Sequence, residues 1–166
     1  MKSTLTILAT SLAALLSAPA FAETPLSVDN SWHYFSFGNV GSTFSNQPFT
    51  FTLTEAAVLR VTDAYNSGDQ FEVFSNGNSL GLTSTPTYGH DIGADYAAAF
   101  LSENFSHGQW TLAAGTYNIT GVTILSPYSA GGAAISLSAV PEPESIALML
   151  AGVVVLGAGL RRRNTR

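Results

Sequence analysis

The chain contains no cysteine. That excludes disulfides, thiolate metal sites, a cysteine nucleophile and a lipidated cysteine anchor. Charge is scarce too: 10% of the 166 residues are Asp, Glu, Lys or Arg, against about 25% in ordinary globular proteins. Bases are scarcest. Lys and Arg number six, and Arg161, Arg162, Arg163 and Arg166 sit together at the C-terminus. Between residues 23 and 139, Arg60 stands alone against nine acids. Lacking a basic face, the chain is not expected to bind nucleic acid. Long amphipathic helical patterns and internal repeats are also lacking, so neither a bundle nor a solenoid is expected.

What is present begins with an apolar run at each end. Lys2 precedes the mostly apolar Leu5–Leu16, and Ala20-Phe21-Ala22 follows with small residues at both positions a signal peptidase reads. Residues 1–22 are therefore expected to be a signal helix, cut after Ala22. At the other end, residues 146–160 are an uninterrupted apolar run. As a helix it measures about 22 Å, short against a bilayer core of about 30 Å. Gly152, Gly157 and Gly159 weaken it further. A short, weak transmembrane helix suits a temporary anchor. It has no polar stripe to meet water, so it does not read as a helix of the folded body. The arginines after it hold the C-terminus in the cytoplasm and leave the body outside the inner membrane.

Pro141-Glu142-Pro143 stands just before this run. Both prolines keep the strip out of helix and sheet, where a processing enzyme can reach it. Pro-Glu-Pro, one apolar span and a terminal Arg cluster, in that order, resemble the PEP-CTERM sorting signal. The resemblance covers residues 140–166. It implies recognition by an exosortase-type membrane enzyme of a Gram-negative cell that makes exopolysaccharide. It further implies removal of the span, with Pro141, Glu142, Pro143, Arg161, Arg162 and Arg163 as the sorting residues, and passage to the cell surface, matrix or biofilm. Tails of this kind also bear the label of the C-terminal domain of ice-binding proteins, which by itself transfers no activity.

The body, residues 23–139, is long enough for one core. Its periodicity is two. Phe49-Thr50-Phe51-Thr52-Leu53-Thr54 alternates apolar and hydroxyl residues. Further strands are expected at Trp32–Phe37, Val58–Thr62, Phe71–Phe74, Leu80–Thr83, Trp110–Leu112, Tyr117–Val122 and Ala134–Leu137. Asn76-Gly77 marks a hairpin. Ser67-Gly68-Asp69 and Ala114-Gly115 mark other turns. Asp91–Phe100 ranks no higher than a helical turn. The expected fold is all-β, a single antiparallel β-sandwich or jelly-roll-like domain. Phe49–Gly81 also resembles a segment that recurs in the bodies of PEP-CTERM proteins, which implies a shared β fold and no known activity.

Candidate chemistry is thin. Asp63, Tyr65, Ser67 and Asp69 place oxygens at alternate positions with Gly68 sixth, as a calcium loop does. Tyr65 sits where an EF-hand wants a side-chain carboxylate or amide, and Phe74 where it wants Glu, so that motif fails. A looser calcium site on Asp63, Asp69 and Glu72 is the candidate metal centre; otherwise no cofactor is expected. Asp91 and Asp95 form a second acidic pair. His33, His90 and His107 accompany many serines but no G-x-S-x-G elbow. Thr50, Thr52 and Thr54 give a single hydroxyl row where an ice-binding face needs many. Among Trp32, Tyr34, Tyr65, Tyr88, Tyr96, Trp110 and Tyr128, the two tryptophans read as core. Tyr65, Tyr88 and Tyr96 lie in polar loops and are the better candidates for stacking on sugar rings. The expected role is a non-enzymatic surface or matrix protein. A carbohydrate-binding module, with or without calcium, is the first alternative and a hydrolase the second.

Overall fold

The structure is a computed structural model that describes residues 23–140. The signal segment with Ala20 and Ala22, the Pro-Glu-Pro strip, the run at 146–160 and the terminal arginines lie outside the described residues. Among the described residues, no helix is long and apolar enough to cross a membrane.

The described residues form nine strands and one helix, in order: β1 (Thr24–Pro25), β2 (Trp32–Phe37), β3 (Phe49–Leu53), β4 (Ala57–Asp63), β5 (Gln70–Ser75), β6 (Asn78–Leu82), α1 (Tyr96–Leu101), β7 (His107–Leu112), β8 (Gly115–Leu125) and β9 (Gly131–Ala139). They form two sheets, one ordered β1-β3-β8-β5-β6 and the other β2-β9-β4-β7. The all-β, sandwich-like expectation holds. All pairings are antiparallel except β1 on β3, which is parallel. This two-residue strand carries too little pattern to be read from sequence.

Alternation decides which residues meet between the sheets. Phe49, Phe51 and Leu53 of β3 are buried, while Thr50 and Thr52 face outward. The Thr52 hydroxyl meets that of Thr116 on β8 at 3.2 Å. Phe35, Phe44, Phe49 and Phe71 form the centre of the core, with Phe35 stacked on Phe44 at 4.1 Å between centroids. Such ring pairs contribute about 0.5–1.5 kcal/mol beyond their burial. Asn76 (φ 50°) and Gly77 (φ 80°) join β5 to β6 with both central residues left-handed, as a tight hairpin requires.

Two local expectations change. Asp91–Phe100 yields a helix, Tyr96–Leu101, because Asp95 caps it by accepting from Ala98 N at 3.0 Å and the alanines that follow favour the helical state. Trp110 packs against the core, its Nε1 donating to Leu80 O at 2.8 Å. Trp32 does not: it lies on the outer face of its sheet, against Tyr96 and Phe100 of α1 at 6.5 and 5.6 Å.

Candidate ligand-binding end

β9 runs toward the C-terminal tail, and β4 runs antiparallel to it, with Ala57 opposite Ala139 and Asp63 opposite Ala133. The loops after β4 and before β9 therefore lie at the end away from the tail. Nine residues at about 3.3 Å each separate the two ends by about 30 Å.

Most of the tyrosines named from the sequence gather at this far end. Tyr65 and Tyr96, 31 residues apart, bring their hydroxyls to 3.3 Å. Burial, and then Tyr65 itself, pushes the Tyr96 hydroxyl above its ordinary pKa. Tyr34 from β2 meets Tyr65 edge-on at 6.5 Å. Tyr88 does not join this group. It stacks on Tyr128 at 5.3 Å with planes 14° apart, and it is 67% exposed. The end thus offers two ring platforms. Pairing Tyr88 with Tyr128 could not be read in advance, because the loops that carry them are 40 residues apart in the chain.

Beneath the rings lies an acid pair. Asp63, at the end of β4, and Asp69, just before β5, are 0% and 1% exposed. Asp63 closes the loop between them: its Oδ1 accepts from Ala64 N at 2.9 Å, and its Oδ2 accepts from Gly68 N and Asp69 N at 3.2 Å each. Gly68 has φ 139°, and a Cβ there would lie 2.8 Å from Pro127 Cγ. Only glycine lets this loop pass under the one before β9. Burial pushes the Asp63 carboxyl up to about 8, the neighbouring Asp69 charge adding to it, while the three N–H donors pull the other way. Burial also pushes Asp69 up to about 6. The Ser126 hydroxyl, beside it but outside hydrogen-bond geometry, partly offsets this.

Glu72 does not join the pair. Phe71 and Val73 on either side of it are both buried, so Glu72 faces outward and accepts from Ser79 Oγ at 2.6 Å across the hairpin. Among the described residues, no three of His, Asp and Glu converge as a metal site would. Asp91 and Asp95 serve turns: Asp91 Oδ1 accepts from Gly93 N, and Asp95 caps α1. His107 Nδ1 faces Phe105 O at 2.9 Å, His33 Nε2 is buried without a partner, and the His90 backbone N–H donates to Ser67 Oγ.

β9 ends at Ala139, and the sequence from that point on carries a sorting tail. The tail is the PEP-CTERM protein-sorting motif, whose family model matches residues 139–163. The motif implies export to the cell envelope or surface through an exosortase. No curated protein matches the chain. Several solved structures are similar to it. The pre-peptidase C-terminal domain of a collagenase from Bacillus anthracis is 11% identical, with 74% of this chain and 100% of that one aligned and a TM-score of 0.43. The C-terminal CBM6 of LamC, a marine laminarinase from Zobellia galactanivorans, is 20% identical over 61% and 76% of the two chains, with a TM-score of 0.37. A β-1,3-glucan-binding CBM6 from Bacillus halodurans is 14% identical over 64% and 76%, with a TM-score of 0.36.

Proposed function

We propose that this chain is a non-enzymatic surface or matrix protein of a Gram-negative cell. A signal peptidase removes residues 1–22, a transient inner-membrane anchor holds the sandwich, and an exosortase-type enzyme releases it into the exopolysaccharide. The observation that carries this reading is the sorting motif beginning at residue 139, where β9 ends. On this reading the body has almost no free chain between fold and processing site, and its tyrosine end points away from the membrane while tethered.

Mass spectrometry of extracellular protein tests it. The expected C-terminus lies near Pro141–Pro143, with residues 161–166 missing. Intact Arg161–Arg166 on all extracellular protein would refute release by cleavage. Replacing Arg161, Arg162 and Arg163 together by glutamine is expected to leave most of the protein unprocessed. Each arginine costs about 2.5–3.5 kcal/mol at the bilayer centre and so fixes the span's orientation.

The exposed rings favour a second role, binding of matrix polysaccharide. Loss of one stacking ring removes about 0.5–1.5 kcal/mol, or roughly 2–10-fold in affinity. Tyr88→Ala and Tyr65→Ala are each expected to weaken binding on a glycan array by that factor without moving Tm by more than a few degrees. An array with no hits from the unaltered protein, with and without calcium, would sink this role and leave the sorting reading standing.

A further inference from the structure

Two carboxyl groups lie buried together under the tyrosine loops with no cation to answer them. Arg60, the one Lys or Arg among the described residues, lies three strand positions before Asp63 on β4 and bonds neutral groups, Asn30 Oδ1 and Ser138 Oγ, both at 2.6 Å from Nη2. Buried like charges must either keep a proton or take up a cation. Asp63 has given both oxygens to backbone N–H groups. Asp69, at 1% exposure, has not: its Oδ1 is buried with no hydrogen-bond partner. The Ser126 Oγ beside it is likewise buried and unpartnered.

We propose that this pair binds a calcium ion, with Asp69 Oδ1 and Ser126 Oγ as ligands and Asp63 supplying the second negative charge. The donor chemistry selects the metal. Every side-chain donor is a hard oxygen, and without a third carboxylate or a histidine the shell must be completed by backbone carbonyls and water. Calcium accepts six to eight such oxygens in loose geometry, whereas zinc wants nitrogen or sulfur and magnesium a stricter octahedron. So few charged ligands set a weak site, about 10⁻⁴–10⁻³ M, the range of extracellular modules. An occupied site would pin the loops after β4 and before β9, and with them Tyr65 and Tyr128. Glu72 has no part in it.

The test uses exported protein stripped with EDTA and titrated with calcium chloride alone at pH 8 and pH 5. The titratable group that reaches the pair is Tyr128, whose hydroxyl the neighbouring Tyr88 pushes above its ordinary pKa, so it does not mimic the effect. At pH 8, about 10 mM calcium, roughly ten to a hundred times that dissociation constant, is expected to raise Tm by about 5 °C or more; at pH 5, where protons occupy the pair, the rise is expected to vanish. Terbium should bind the same site and emit when Tyr128 or Tyr88 is excited, with calcium displacing it. Asp69→Ala should abolish both signals and Ser126→Ala should weaken affinity severalfold, which keeps the test decisive if the first variant does not fold. No Tm response and no terbium emission at pH 8, or a response unchanged in Ser126→Ala, overturns the site. An equal response to magnesium overturns its assignment to calcium.

Discussion

Gly121→Ala is expected to destabilise the sandwich by roughly 2–3 kcal/mol, at the upper part of the range for overpacking a core. At this size that lowers Tm by about 10 °C or more. Gly121 lies on β8, flanked in its sheet by β3 and β5. A Cβ there falls well inside van der Waals contact with the Phe44 ring, with Cδ2 only 2.7 Å away. That ring cannot retreat. It is 2% exposed, stacked on Phe35 at 4.1 Å and set edge-on to Phe71 at 5.3 Å. The backbone is fixed as well, since Gly121 N donates to Gln47 Oε1 at 2.9 Å and Gly121 O accepts from Phe44 N at 3.2 Å. Phe44→Leu alone should cost less, and combined with Gly121→Ala it should recover part of the loss, because the smaller side chain frees the space the new methyl needs. Thermal denaturation of the four proteins measures this coupling. Additive losses, or a Gly121→Ala protein within a degree of the original, would show that Phe44 is not what holds the position empty.

This contact also marks where sequence reading stops. Phe49-Thr50-Phe51-Thr52-Leu53 announces a strand with its buried face already assigned, because alternation is a local property. The Asn76-Gly77 turn is local too. Phe44 lies between strands, in a stretch without alternation, and its place in the core depends on a partner 77 residues away. The candidate site divides in the same way. Asp63 and Asp69 belong to one short loop and were legible as a pair. Strand alternation excludes Glu72 from the pair, since Phe71 and Val73 claim the inner face. Ser126, the neighbour that completes the pair, approaches from the loop before β9 and leaves no trace in the sequence around Asp63. Tyr65–Tyr96 and Tyr88–Tyr128 exist only because three loops meet at one end of the sandwich.

The acid pair carries the other large effect, a stability that falls as pH rises when divalent cations are absent. In the unfolded chain both carboxyls titrate near 3.9. In the fold, burial raises Asp69 to about 6 and Asp63 to about 8, so the pair loses its protons in two steps that belong to the pair as a whole. Below pH 4 both states are protonated and there is no penalty. From about 4 to 6 the folded state holds two protons that the unfolded state has released, and from about 6 to 8 it holds one. Stability therefore declines through this whole window and levels off above it. Each extra proton gives a slope of up to about 1.4 kcal/mol per pH unit, an upper limit because Asp69 lies just under the surface, where solvent screens part of its charge. Even half of that slope over four units amounts to a few kcal/mol, a large share of the stability of an ordinary domain, about 5–15 kcal/mol. Asp69→Asn removes the first step and the charge that lifts Asp63. In EDTA it should match the original protein near pH 4.5 and exceed it increasingly toward pH 8, read as Tm against pH. Asp63→Asn should behave differently: its amide cannot accept from Ala64, Gly68 and Asp69 together, so it loses stability at every pH. Parallel pH profiles for the original protein and Asp69→Asn would mean that the two acids ionise without cost where they lie.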